Sequence, residues 1–403
     1  MNKSALFPVL FISFILWIVI NQYFFCPHFS FKSPQPFSGK LLYDPYRSFR
    51  CNNWVKSNFH AHTKVWQGFT RGTGTAADIY RVYDSMKYAV HCVSNYENID
   101  TNFSNTPGFI PAYEHGYGIN KTHQLVLGSK KVCWIDYLFP QTLSNKQNIL
   151  NLLSSDSNNV VTINHPASYN GYYASDLKYL TNYNCIEVLN RFAISLAHWD
   201  SALSSGKPAF IVGNDDVHNI FSKNGFGKMC TWVNVSRVKE ATVLNALKTG
   251  KCYGMIVGKQ TTALPVLNRF EVLKNDTISI EMSKAAQQIS FTGQNGKVLA
   301  SYTNTSSAQY IMKPGDHYAR IVIAYADGTD IFLNPVFRYD GTTITRTPAF
   351  INTKKTMIFR FMGMLILAAW LKIAFSLVVS KHIRQTLGKR FPYMPKKLFP
   401  GLQ

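Results

Sequence analysis

Apolar positions divide the chain into three regimes. Residues 5–25 are about 21 positions without a charge, and residues 357–379 form a second apolar run interrupted by Arg360 and Lys372. At 1.5 Å rise per residue the first run covers roughly 31 Å as a helix, close to the hydrocarbon thickness of a bilayer. Lys3 precedes it and no small-x-small cleavage pattern follows, so an uncleaved signal anchor is expected, with a cleaved signal peptide as the alternative. The second run is expected to form a C-terminal transmembrane helix, with Lys372 costing roughly 2–3 kcal/mol on insertion. An interfacial helix is its alternative.

Between the ends, short apolar runs alternate with helical spacing. VVTIN (160–164), CIEVLN (185–190) and AFIVG (209–213) are unbroken apolar runs of the kind covered on both faces, and predict buried strands. TAADIYRVYDSMKY (75–88) places Ile79, Val82, Tyr83 and Met86 on one helical face. Residues 195–207 and 237–251 also read as helices, with Gly206 and Gly250 as their stops. This alternation predicts an α/β fold, with a barrel as one form of it. Polar residues follow directly after the strands, where such folds gather their sites. From about residue 264 the pattern becomes strand after strand, and Asn295-Gly296 and Asp327-Gly328 are hairpin signals between them. A small antiparallel β-sandwich over 264–345 is expected. Residues 26–50, rich in Pro, Phe and Ser, read as a linker with little regular structure.

Charge changes the picture at the ends only. The net charge is +21, yet residues 51–350 hold 27 Lys+Arg against 20 Asp+Glu, so the surplus sits beside the apolar runs. That placement suits an anionic membrane surface, and no nucleic-acid partner is expected. Lys381, Arg384, Lys389, Arg390, Lys396 and Lys397 follow the second apolar run. The positive-inside rule puts that tail in the cytoplasm and residues 26–356 outside it, in a periplasm or at a cell surface. Seven scattered cysteines without a CxxC pair give no zinc-ribbon signal and read as buried small hydrophobes; one or two disulfides are the alternative in an oxidising compartment.

Candidate chemistry lies in five short segments. His60 and His62 are two apart, so on a strand both imidazoles reach one ion. Glu114 follows an apolar turn, and a carboxylate can bridge two cations. His123 precedes an apolar run, His165 ends VVTINHP, and Asp216 and His218 end IVGNDDVH. Each alone reads as a satisfied polar residue. Four such positions beside apolar runs, all of ligand type, point instead to a metal site.

In order, NFHAHT, YEHG, HQLVLG, INHPA and DDVH resemble the motifs of the PHP (polymerase and histidinol phosphatase) superfamily of metal-dependent hydrolases. AHWDSALSSGK followed by IVGNDDVH, with the terminal strands, resembles its carbaryl hydrolase-like branch. The resemblance covers residues 51–343. It implies a distorted β/α barrel over 51–263, and the β-sandwich (264–345) fits that branch; with the readings above, these lie between an N-terminal anchor (1–25) with its linker (26–50) and a transmembrane helix (357–379) with a basic tail (380–403). It implies that His60, His62, Glu114 and Asp216 hold one divalent ion, Zn, Mn or Fe, and that Glu114, His123 and His165 hold a second, with Glu114 bridging. His218 matches a ligand of a third. Here, however, Asn95-Tyr96 stand where the family has Asp-His, and Gln67 and Gly68 occupy a region that often carries Asp or His, so the third position is left open.

The resemblance further implies hydrolysis of a small anionic phosphate ester, or of a carboxylic or carbamate ester, by a metal-bridged hydroxide. Asp216 and His218 are the expected catalytic residues, His218 orienting the substrate or donating a proton. Lys64 and Tyr96 are candidates to contact the anionic group, and His91 and His115 are expected to be structural. The rival expectation is a non-catalytic metal- or ligand-binding module held at the membrane.

Overall fold

The computed structural model describes residues 3–222, 225–259, 263–341, 344 and 348–378. The basic tail expected over 380–403 lies outside the described residues. In chain order the helices are α1 (Lys3–Ile20), α2 (Ala76–Ser85), α3 (Leu143–Leu153), α4 (Leu196–Ser204), α5 (Glu240–Thr249) and α6 (Thr353–Val378). The first nine strands are β1 (Phe29–Ser30), β2 (Leu41–Tyr43), β3 (Trp54–Asn58), β4 (Val90–His91), β5 (Ala112–His115), β6 (Gln124–Leu127), β7 (Val160–Ile163), β8 (Cys185–Asn190) and β9 (Ala193–Ile194). The rest are β10 (Phe210–Asn214), β11 (Met229–Asn234), β12 (Cys252–Ile256), β13 (Leu267–Val272), β14 (Thr277–Thr292), β15 (Val298–Ile311), β16 (Tyr318–Ala324), β17 (Asp330–Tyr339) and β18 (Phe350–Ile351).

The unbroken apolar runs become β7, β8 and β10, buried along their whole length. They pair in parallel, and β6 and β5 continue the sheet antiparallel, in the order β10-β8-β7-β6-β5. α2 begins with a capping box between Thr75 and Asp78, which satisfies two of its free amides, and α5 ends on Gly250 in the left-handed region.

The expected barrel is not a closed sheet. Its strands fall into two hydrogen-bonded sheets, the second running β13-β14-β16-β17-β12-β11-β3-β4. Two single bridges, Ala61 with Val217 and Tyr96 with Glu114, connect the chain just past β3 to that just past β10, and the chain just past β4 to β5; β10 and β5 are the edge strands of the first sheet. The ladders stop there because the chain turns: Asp216 takes φ +51° and Glu97 φ +47°, neither compatible with a continuing strand. The antiparallel β5–β6–β7 run also departs from a strict β/α alternation.

The C-terminal strands are antiparallel and the two turn signals lie where expected, between β14 and β15 and between β16 and β17. The sequence shows the β14 stretch as two short runs, TISIEMS and QISFTGQ, separated by KAAQ; the structure has one bent strand of 16 residues. β17 pairs with β12, so hydrogen bonds run without a break from these strands into β11 and β3. Residues 26–50 have little regular structure but are pinned to the core. Phe37 stacks on Phe337 with ring centroids 4.3 Å apart, and the buried Tyr46 hydroxyl donates to the Cys252 carbonyl (2.9 Å) and accepts from the Asn334 amide (2.7 Å). Cysteines 26, 92, 185, 230 and 252 are buried, and no disulfide joins any of the seven.

One helix at each end is long and apolar enough to cross a membrane, over Leu6–Phe25 and Thr353–Val378. They pack antiparallel: Trp370 Nε1 donates to Ser13 Oγ (2.8 Å), while Arg360 Nε donates to the Phe25 carbonyl (3.2 Å) at the other end.

Candidate metal centre

The ends of β3, β5, β7 and β10, with the residue preceding β6, bring His60, His62, Glu114, His123, His165 and Asp216 to one place, all of them buried. Glu114 is at the centre. Its Oε2 lies 3.2 Å from His60 Nε2 and 3.2 Å from His62 Nε2, and its Oε1 lies 3.0 Å from His123 Nδ1 and 3.2 Å from His165 Nε2. Asp216 Oδ1 lies 3.3 Å from both His60 Nε2 and His62 Nε2. The two faces of one carboxylate are thus turned to two separate groups of donors.

These donors fit divalent ions. His60 Nε2, His62 Nε2, Glu114 Oε2, His123 Nδ1 and Asp216 Oδ1 are buried and make no hydrogen bond. Leaving so many polar atoms unpaired is costly unless something binds them. Ligands at about 2.1 Å from a tetrahedral ion stand roughly 3.4 Å apart, close to the 3.2 and 3.3 Å contacts here. The donors of His60, His62 and Asp216 lie within 4.8 Å of one another, as do those of His60, Glu114 and His165. Burial alone would push the Glu114 carboxyl up, but the His60 and His123 imidazoles beside it hold it well below the usual range. Burial likewise opposes ionisation of Asp216, and the His60 imidazole beside it outweighs that and holds the carboxyl well below its ordinary range.

Backbone strain is concentrated here. His165 has φ +25° and Asp216 φ +51°, conformations that cost about 1–3 kcal/mol for a residue with a side chain and persist where a site requires them.

A buried outer layer orients the cage. Glu187 Oε1 accepts from His60 Nδ1 (2.9 Å), which leaves Nε2 as a lone pair pointing into the site. Glu187 also accepts from the His165 amide (3.0 Å), Asn190 Nδ2 (3.0 Å) and Asn214 Nδ2 (3.0 Å). Asn164 Nδ2 donates to Glu114 (2.9 Å), and Asn190 Nδ2 to Asp216 (3.2 Å). None of these four was singled out in the sequence. The signals were present: a lone carboxylate inside CIEVLN, and an Asn at the end of each of three apolar runs. Asp215, the neighbour of Asp216, is occupied structurally by the Tyr83 hydroxyl and the amides of Gly227, Lys228 and Met229.

The mouth differs from the cage. His218 Nδ1 donates to the Asp216 carbonyl (3.0 Å), so Nε2 accepts from the Tyr96 hydroxyl (3.3 Å). Burial and the neighbouring His62 keep the His218 imidazole below its ordinary pKa, hence neutral. The Tyr96 ring stacks on His62 at 4.5 Å and 16°, filling the corner beside it. Asn95 is taken up by Thr63, accepting from its amide and donating to its hydroxyl, both at 2.8 Å. A cavity of about 520 Å³ opens above, lined by Arg71, Lys121, Tyr169 and Phe192 with Tyr96 and His218. The basic groups at this mouth are Arg71 and Lys121; Lys64 is exposed and outside the lining. His115 is structural, both ring nitrogens meeting oxygens of Gln124 (2.7 Å) and Ile135 (3.0 Å). His91 lies away from the cage, packed on Tyr80 and Tyr83.

No family model and no curated protein matches the chain. Among solved structures, a two-domain protein from Bacteroides vulgatus, described as containing a predicted PHP-like metal-dependent phosphoesterase, is similar at 10% identity and TM-score 0.37, over 75% of this chain and 99% of that one. PsfC from Pseudomonas syringae is similar at 14% identity and TM-score 0.36, over 50% of this chain and 90% of that one. Likenesses this weak carry nothing further.

Proposed function

We propose that this chain is a metal-dependent hydrolase of small anionic esters, of the PHP type, tethered to a membrane by its two end helices. Phosphate esters are the first substrate class, with carboxylic and carbamate esters as the others. The observation that carries the reading is Glu114: a fully buried carboxylate facing two sets of donors whose lone pairs have no other partner. His60, His62, Glu114 and Asp216 would hold one ion, and Glu114, His123 and His165 a second. When bound, such ions supply the Lewis acidity that makes water nucleophilic near neutral pH and neutralise charge on the ester.

The protein's own groups do the rest. Arg71 and Lys121 attract an anion to the mouth, and Tyr169 and Phe192 give its leaving group apolar walls. Neutral His218 holds the Tyr96 phenol as the donor in their pair, so the proton closest to a leaving oxygen there sits on Tyr96 Oη. Glu187 fixes the tautomer of His60. With Tyr96 in the corner and Asn95 engaged by Thr63, two ions rather than three are expected.

Elemental analysis of the full chain purified in detergent, paired with a panel of phosphate, carboxylic and carbamate esters, tests this. The expected result is close to two divalent ions per chain and turnover that a chelator abolishes and added metal restores. A metal-loaded chain without turnover on any ester, or a chain that takes up no metal, overturns the reading.

A further inference from the structure

The first apolar helix is fastened to the domain by a buried side chain. Gln22 Nε2 donates to the carbonyls of Phe139 (2.8 Å) and Pro140 (3.1 Å), and its Oε1 accepts from the Phe139 amide (2.9 Å). The Tyr23 hydroxyl adds a bond to Pro140 (2.9 Å), and Asn145 Nδ2 donates to the Gln22 carbonyl (2.7 Å). The start of α6 joins at the same level, where Thr356 Oγ1 accepts from the His28 amide (3.0 Å). Both helices therefore meet the domain beside the loop that ends at Pro140.

That loop leads directly to the rim of the site. Trp134 and Ile135 are 61% and 54% exposed, and Lys130 and Lys131 beside them are exposed as well. Trp134 is five residues from Phe139, hence within about 18 Å of it along the chain. Its ring lies against Trp66 at 6.0 Å, and Trp66 Nε1 donates to the Tyr96 carbonyl (2.7 Å), where the cavity begins. Trp66 is 45% exposed and sits at φ +51°, followed by Gln67 at φ +53°, so the backbone holds an indole outward at a conformational cost. Exposed tryptophans flanked by lysines, continuous with the ends of two apolar helices, are the composition of a membrane–water interface.

We propose that Trp66 and the loop 130–140 lie in the headgroup layer of an anionic bilayer, holding the cavity mouth at the membrane surface to take the ester headgroup of an amphiphile. The surface half rests on the end helices spanning a membrane, and the substrate half rests on the hydrolase reading.

Tryptophan quenching separates the two. The full chain is reconstituted in phosphatidylcholine–phosphatidylglycerol vesicles whose acyl chains carry bromine near the headgroup. Trp17 and Trp370 report on the helices, so a variant with both changed to Phe leaves Trp66 and Trp134 at the rim beside Trp54, Trp199 and Trp232 in the domain, whose unquenched signal the four-fold variant below provides. That double variant is expected to remain quenched, and adding W66F and W134F should abolish the effect. An unquenched W17F/W370F chain beside a quenched wild type overturns the bilayer contact; an unquenched wild type overturns the spanning helices with it. For the substrate, W134E should lower turnover of a long-chain phosphate monoester in vesicles about tenfold, since one indole's burial is at stake, and leave its short-chain soluble analogue unchanged. Equal turnover changes on both esters overturn the amphiphile assignment. No wild-type turnover of either overturns the hydrolase reading, while quenching still decides the bilayer contact.

Discussion

The floor of the site and its mouth use the same residue types to opposite ends. On the floor, four imidazoles surround Glu114, and those of His60, His62 and His123 face it with a nitrogen that makes no hydrogen bond, while Glu187 and three asparagines hold the group in place. At the mouth, His218 has both nitrogens engaged, by a carbonyl and by the Tyr96 hydroxyl. A histidine near a metal site is thus not a ligand by type. What distinguishes the two regions is whether the nitrogen left facing the site is paired: His60 and His218 each have Nδ1 held by an acceptor, but only at His218 does Nε2 also find a partner.

The sharpest way to break this contrast is Glu114→Gln. The side chain keeps its size but one oxygen becomes an amide donor, and the bridge between the two donor sets is lost. Metal content should fall well below two per chain, and turnover should drop roughly a thousandfold or more, about 4 kcal/mol in the barrier. Elemental analysis with ester turnover reads both. Wild-type metal content in this variant would mean that the floor does not depend on its central carboxylate.

The site's ligand types were legible in the sequence because each stands beside an apolar run, and a run's end is where an α/β strand presents its next residue to a site. β7, β8, β10 and the helices α2, α4 and α5 were legible from their hydrophobic period, whereas α3 was not picked out. The layer behind the ligands was not. Glu187 sits mid-strand among apolar residues, and only the approach of His60 from β3, more than a hundred positions away, gives it a role. The joining of β17 to β12 was hidden likewise, since pairing between distant strands leaves no local period. Tyr96 was visible as a departure from a motif, but that its ring would cover His62 depended on the bridge between residue 96 and Glu114.

Glu187→Gln tests whether that hidden layer sets the ligand character of the floor. Glutamine can still accept from His60 Nδ1 through its oxygen, but its amide group then faces the donors of Asn190 and Asn214 or the His165 amide. The His60 tautomer is no longer enforced, and metal affinity should weaken about 10–100-fold. Calorimetric titration of Zn or Mn into chelator-stripped protein measures it. Unchanged affinity would reduce Glu187 to packing.

The smallest effect belongs to the mouth, and its direction matters more than its size. Tyr96→Phe removes one hydroxyl while keeping the ring that stacks on His62. A hydrogen bond of this kind is worth about 0.5–1.5 kcal/mol, so turnover should fall roughly threefold to tenfold. Metal content should stay as in the wild type, because the Tyr96 hydroxyl belongs to the substrate side. The two readouts together discriminate: lost turnover with full metal keeps the mouth functionally distinct from the floor. If metal content falls with the hydroxyl, or if a third ion now binds beside the freed His218, the corner is part of the cage, and the boundary drawn between satisfied and unsatisfied donors is in the wrong place.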